Sequence, residues 1–330
     1  MSSMQRREFL GFTTTALAAT ALAGCMPRAV SGAGASAVGG TLNAEAYHAS
    51  RKYLDSRFGR IAYIERGTGE AALFLHGFPL NSFQWRGAIE RLSPYRRCVA
   101  PDFMGLGYTE VAEGQSYAPD EQVKMLVELM DRLSIQSADV IANDSGGAIA
   151  QLLVTRHPER VRTLLLTNCD VESECPPPAV LPVIEMARTG AYVDAWLAPW
   201  LADKSLARSE KGIGAMCFSN PAHPTDEAIE YYFGPLVRST RGKAQAHAYT
   251  LALEANSLAG IGPELQKSKV PTRIIWGTGD TIFSQSSADY LDQTFGASRG
   301  VRRVPGAKLF FPEEYPDLIA EEARQLWGIG

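Results

Sequence analysis

A chain of 330 residues with 45% apolar and 21% charged side chains can bury a sizeable core, which excludes disorder along its whole length. A formal charge of −4, with both signs interspersed, leaves no basic stripe to neutralise a phosphate backbone and excludes nucleic acid as the natural partner. The partner to expect is a small molecule.

Residues 1–25 read as an address rather than as part of the fold. Gln5-Arg6-Arg7-Glu8-Phe9-Leu10 sets a twin arginine just ahead of Phe-Leu, and an Ala, Thr and Leu stretch leads to Leu22-Ala23-Gly24-Cys25. This resembles a twin-arginine export signal ending in a lipoprotein box. The resemblance implies cleavage before Cys25, a lipid on its thiol, and a periplasmic or otherwise extracytoplasmic protein anchored to a membrane. The apolar run itself is well short of the roughly 20 residues that span a bilayer. Residues 26–45, rich in Gly, Ala and Ser, are expected to be a flexible tether. Cys98, Cys169, Cys175 and Cys217 show neither disulfide nor zinc spacing and read as small apolar fillers.

Over 46–170 and again over 263–330, short β-branched or apolar runs alternate with longer helical patterns, the signature of a mostly parallel sheet with helices on both faces. Strands are predicted around 72–75, 98–100, 139–142, 163–166 and 273–276, and helices over 118–134, 147–157 and 317–328. Residues 171–262 break the alternation. They open on Pro176-Pro177-Pro178 and carry Tyr192, Trp196, Trp200, Tyr231, Tyr232, Phe233 and Tyr249 among helical patterns, which predicts an inserted helical cap.

The chemistry concentrates at Val140-Ile141-Ala142-Asn143-Asp144-Ser145-Gly146-Gly147, a buried strand turning tightly into a helix. Small neighbours are needed where strand and helix approach, and aligning on Ala142, Gly146 and Gly147 puts Asp144 at the corner. Sliding the pattern toward G-x-S-x-G makes Ser145 the rival, at the cost of Asn143 where a small residue is wanted. A carboxylate at a helix N-terminus is favoured by the helix dipole and is able to displace a leaving group from an sp³ carbon; a plain helix cap is the bland alternative.

Leu75-His76-Gly77-Phe78-Pro79, Pro101-Asp102-Phe103-Met104-Gly105-Leu106-Gly107, the Asn-Asp-Ser-Gly-Gly corner and Trp276-Gly277-Thr278-Gly279-Asp280 together resemble the α/β-hydrolase superfamily in order and spacing. The similarity is to its aspartate-nucleophile branch, the epoxide hydrolases and haloalkane dehalogenases. The resemblance implies the α/β-hydrolase fold, Asp144 as nucleophile, an oxyanion hole from the backbone N–H groups of Phe78 and Ser145, and Asp280 as supporting acid, with Asp170 a second candidate. His76 reads as structural. It further implies two cap tyrosines that polarise an epoxide oxygen, for which Tyr192, Tyr231, Tyr232 and Tyr249 are candidates. Positions that hold halide in the dehalogenases carry Phe78 and Ser145, so His-Gly-Phe-Pro is more like an epoxide hydrolase.

One element departs from that pattern. Where the branch has a histidine that activates water, Gly306-Ala307-Lys308-Leu309-Phe310-Phe311-Pro312-Glu313-Glu314 places Leu309. Among the chain's five histidines, His247 is the candidate for a relocated base. Three readings follow: a hydrolase of epoxide or carbon–halogen bonds, a lyase, isomerase or cyclase in which Asp144 is a base, and a lipid-anchored binding protein without catalysis. All are expected to work without cofactor or metal, because neither metal-ligand spacing nor a phosphate loop is present.

Overall fold

The structure, a computed structural model, describes residues 42–329; the expected export signal, Cys25 and the tether up to residue 41 lie outside the described residues. The Asn43 side chain accepts the Ala46 N–H at 2.8 Å and caps a short helix, α1 (Ala44–Ala49). The tether predicted to end at residue 45 therefore overlaps this helix, which is pinned to the body of the protein where the buried Tyr47 hydroxyl donates to the Ser82 carbonyl at 2.7 Å.

Among the described residues nine strands form one sheet: β1 (Lys52–Ser56), β2 (Gly59–Arg66), β3 (Ala71–Leu75), β4 (Arg97–Pro101), β5 (Glu110–Val111), β6 (Ala138–Asp144), β7 (Val161–Cys169), β8 (Thr272–Gly277) and β9 (Ser298–Val304). Their order is β1-β2-β4-β3-β6-β7-β8-β9, with β5 added beside β2. The pairings from β4 through β9 are parallel, and β1, β2 and β5 supply the antiparallel edge. Every residue of β3 and β6 is buried, as expected for strands covered on both faces.

Side-chain alternation sorts the core into two layers. Ala72 and Phe74 face a cluster with Ile89 and Leu92 of α2 (Arg86–Leu92) and Ile319 and Ala323 of α14 (Pro316–Trp327). Leu73 and Leu75 face the other cluster, with Leu126 and Met130 of α3 (Pro119–Arg132) and Leu152 and Leu153 of α4 (Ser145–Arg156). Each fully buried aliphatic or aromatic side chain contributes roughly 1.5–3 kcal/mol of transfer free energy.

The cap lies between β7 and β8. It comprises α5 (Leu181–Arg188), a π-helical turn over Val193–Leu197, α6 (Ala198–Ala202), α7 (Lys204–Arg208), α8 (Ile213–Cys217), α9 (Asp226–Val237) and α10 (Thr240–Ala252); α11 (Gly262–Lys267) leads back into the sheet. α12 (Gln285–Thr294) links β8 to β9, and α13 (Phe311–Glu314) precedes α14. The two glutamates of α13 tie cap to core. Glu314 accepts the Ser219 and Asn220 N–H groups, both at 2.9 Å, while the buried Glu313 accepts the Tyr232 hydroxyl at 2.7 Å and Arg86 Nη1 at 2.8 Å.

Candidate active site

Asp144 stands at the corner between β6 and α4 with φ +55° and ψ −133°, a strained left-handed conformation for a residue with a side chain. The corner is possible only because its neighbours are glycines. A Cβ on Gly146 would lie 2.5 Å from the His76 carbonyl oxygen, and one on Gly77 would lie 2.7 Å from Asp144 Cβ. Ser145 is the first helical residue, not the corner. Its hydroxyl meets the Tyr249 hydroxyl at 3.1 Å.

The Asp144 carboxylate is already seated between two backbone donors. Oδ1 accepts the Phe78 N–H at 2.8 Å and the Ser145 N–H at 2.5 Å, which leaves Oδ2 without a backbone donor. Burial pushes the Asp144 carboxyl up to about 6; the Ser145 and Phe78 N–H bonds oppose this and the charge of Asp280 adds to it.

A polar network behind the corner holds these pieces in place. Gln84 Oε1 accepts the Gly77 N–H at 2.9 Å and Gln84 Nε2 donates to Asn143 Oδ1 at 2.7 Å. Asn143 Nδ2 in turn donates to the Thr167 hydroxyl, the Asn168 carbonyl and the Leu309 carbonyl at 2.9, 3.1 and 3.0 Å. Asn168 donates to Asp280 Oδ2 at 2.7 Å and accepts the Gly277 N–H at 2.7 Å. Sequence reasoning assigned no role to Gln84, Asn143 or Asn168. The available signal was an asparagine near the end of each of two buried strands, where an apolar residue is the default.

Two chambers meet at Asp144, and Phe78, Asp144 and Val180 line both. One, of about 30 Å³, carries Ser145, Asp170, Cys175, Tyr249 and Ser257. The other, of about 60 Å³, is walled by Val183, Tyr192, Trp196, Trp200, Ile213, Met216, Cys217 and Leu309. We call them the carboxyl chamber and the apolar chamber. The Phe78 ring packs against two cap tyrosines, its centroid 5.8 Å from that of Tyr249, with which it stacks, and 5.8 Å from that of Tyr192. The Tyr192 hydroxyl is buried with no hydrogen-bond partner. Burial holds both tyrosines above their ordinary values, so each keeps its proton.

The carboxylates are placed differently. Asp170 lines the carboxyl chamber beside Asp144, and burial together with the Asp144 charge raises it well above the usual carboxylate range. Asp280 lines neither chamber; its oxygens are occupied by the Ile282 N–H at 2.9 Å and Asn168, and burial raises it. Among the described residues no group of His, Cys, Asp or Glu is placed to hold a metal ion.

Several expected site residues lie elsewhere. The Tyr231 hydroxyl is taken by Arg51, in an aromatic cluster with Tyr47, Phe83 and Tyr108, and the Tyr232 hydroxyl is spent on Glu313. Both sit on α9, whose packing face turns them away from the chambers. His247 meets Tyr192 edge-on at 6.1 Å and lines neither chamber, so it is not placed as the relocated base; burial lowers it. His76 is structural, contacting the Gly77 carbonyl and accepting the Phe103 N–H, each at 3.0 Å. No histidine lines either chamber; Leu309 does.

Similarity to known proteins follows the same outline. The family model described as alpha/beta hydrolase fold matches residues 73–315. Haloalkane dehalogenase 2 of Mycobacterium tuberculosis is 29% identical over 301 residues, covering 87% of this chain and 98% of that protein. An α/β-hydrolase fold protein from Burkholderia ambifaria superposes with a TM-score of 0.71 at 21% identity, over 83% of this chain and 97% of its own. The epoxide hydrolase CorEH superposes with a TM-score of 0.68 at 19% identity, over 84% and 99%. The chain belongs to the α/β-hydrolase fold family.

Proposed function

We propose that this protein hydrolyses a small apolar epoxide through an ester on Asp144. The observation that carries the reading is the seat of Asp144 Oδ1 between the Phe78 and Ser145 N–H groups. A serine nucleophile needs those donors free for the substrate's carbonyl. An aspartate nucleophile needs them on its own carboxyl, because once Oδ2 is alkylated the carbonyl attacked by water is Asp144's own. Tyr192 and Tyr249 hydrogen-bond the ring oxygen as the C–O bond breaks, Asp280 acts electrostatically, and the walls of the apolar chamber take the alkyl group.

The buried, unpartnered Tyr192 hydroxyl favours an oxygen leaving group. The similarity to the M. tuberculosis haloalkane dehalogenase supports a second reading, a carbon–halogen bond cleaved by the same displacement. Incubation with propylene oxide, 1,2-epoxybutane and their bromoalkane counterparts, followed by intact-mass and peptide analysis, tests both. The expected result is an alkyl adduct on Asp144 and ¹⁸O from labelled water in that carboxylate after turnover. Product that forms without solvent oxygen would instead identify a lyase, isomerase or cyclase, and ligand binding that survives Asp144→Ala, with no turnover of any bound compound by the unaltered protein, would identify a binding protein.

The N-terminal motif supports a further element, export by the twin-arginine route and a lipid on Cys25 holding the enzyme at a membrane. Fractionation of cells expressing the full chain tests it. The protein should pellet with membranes and Cys25→Ser should release it; a Cys25→Ser protein that still pellets would sink the idea.

A further inference from the structure

The hydrolytic half of this reaction needs a base, and the sequence places Leu309 where its relatives' pattern has a histidine. Neither chamber contains a histidine, lysine or arginine side chain. It does contain a second carboxyl. Asp170 follows the last residue of β7, which pairs with Asp144 across the sheet, so the two acids project from adjacent strand ends into the carboxyl chamber. Its main chain is fixed, because Gln151 Nε2 donates to the Asp170 carbonyl at 2.8 Å and a short bridge between Val171 and Glu174 closes the turn that follows. Asp280 is excluded from this role, since it lines neither chamber. The carboxyl chamber, at about 30 Å³, exceeds the roughly 10–15 Å³ that a single water needs.

We infer that Asp170 is the proton-transfer residue of this site, giving a proton to the opened epoxide and then taking one from the water that cleaves the Asp144 ester. The inference rests on Asp144 being the nucleophile. In the first step Asp144 Oδ2 bonds to a ring carbon, the C–O bond breaks, and the ring oxygen takes the Asp170 proton, directly or through water in the carboxyl chamber. Asp144 is then a neutral ester and Asp170 a carboxylate. In the second step Asp170 removes a proton from water as its oxygen bonds to Asp144 Cγ, and the oxyanion forms against the Phe78 and Ser145 N–H groups. Collapse expels the diol alkoxide, which takes the remaining proton from the newly formed Asp144 carboxyl. The sum is epoxide plus water to diol.

The timing follows from charge. While Asp144 is ionised, burial and that neighbouring charge together favour protonated Asp170, as an acid must be; esterification removes the charge, and with it part of what opposes ionisation of Asp170 as a base. One carboxyl thus serves as acid and then as base, as in retaining glycosidases.

The test is the lifetime of the ester in Asp170→Asn, followed by rapid quench and intact mass with propylene oxide and 1,2-epoxybutane. The ester should form more slowly, since the ring oxygen then has only hydrogen-bond donors and no Asp170 proton, and should then persist, its hydrolysis slowed on the order of 10²–10⁴-fold, with part of both rates restored in Asp170→Glu. Accumulation of ester itself shows that the variant's site is folded. Clearance within about tenfold of wild type overturns the role of Asp170 and leaves Asp144 as nucleophile. Absence of ester in wild type and variant alike removes the nucleophile reading, and this inference with it. Should Asp170→Asn fail to fold, Asp170→Ser supplies the second measurement: formate should restore ester hydrolysis to it, and failure to do so counts against the proposal.

Discussion

The two chambers beside Asp144 are each walled by core and cap together, but by different segments of both, and they offer the reaction different groups. Core elements and the loop after β7 supply Ser145 and Asp170 to the carboxyl chamber, groups able to hold water and move protons. Cap elements supply Tyr192, Trp196, Trp200, Ile213 and Met216 to the apolar chamber, where the hydroxyl of Tyr192 is the polar group that the walls leave unpaired. Under the proposed epoxide hydrolysis, keeping them apart serves the chemistry. An apolar wall strengthens the electrostatics of displacement and keeps water from the epoxide, while water kept on the carboxyl side is positioned for the ester.

If that division holds, the two cap tyrosines are unequal although both flank Phe78. Tyr192→Phe removes the hydroxyl that has no partner but the substrate, and ester formation should fall on the order of 10²–10³-fold, about 3–4 kcal/mol. Tyr249 is held by Ser145 at 3.1 Å, so Tyr249→Phe should cost less, roughly tenfold. Single-turnover rates of ester formation in the two variants measure this directly. Equal losses, or a larger loss in Tyr249→Phe, would break the distinction between the chambers.

The core side of the comparison was legible in sequence and the cap side only in outline. Asp144 was legible because a strand entering a helix through a tight corner constrains residue size, and such constraints are written locally as glycine and alanine; Phe78 and Ser145 as backbone donors followed from the family resemblance. The buried parallel strands were found because they are continuous apolar runs. β9, with Arg299, Arg302 and Arg303, was missed because an edge strand carries charges in place of alternation; Arg302 and Arg273 both reach Glu322 of α14, each at 2.7 Å. Tyr192, Tyr231, Tyr232 and Tyr249 were indistinguishable in sequence. Which of them faces the site depends on how α9, α10 and the π-helical turn that follows Tyr192 dock, and α9 is fixed by Glu313, far along the chain. Asp170 was noted only as an alternative to Asp280. Its significance comes from sharing a chamber with Asp144, a tertiary fact.

The division between chambers also has a cost that stability measurements reveal. A nucleophilic Asp144 must be ionised, yet burial has raised it to about 6 against an ordinary 3.8. A carboxyl whose folded value lies above its unfolded value binds its proton more tightly in the native state. It therefore contributes most to stability in acid, and that contribution is lost as pH rises through the window from about 4 to about 6. Asp144→Asn removes the charge while its amide oxygen still accepts from Phe78 and Ser145. The variant should be more stable than wild type above pH 6 by about 2–3 kcal/mol, with the gain shrinking to nothing below pH 4. Equilibrium denaturant unfolding of both proteins at pH 8, 5 and 4 makes the comparison. A destabilised variant, or a gain independent of pH, would mean that the Phe78 and Ser145 N–H groups relieve the buried charge more completely than its burial opposes it.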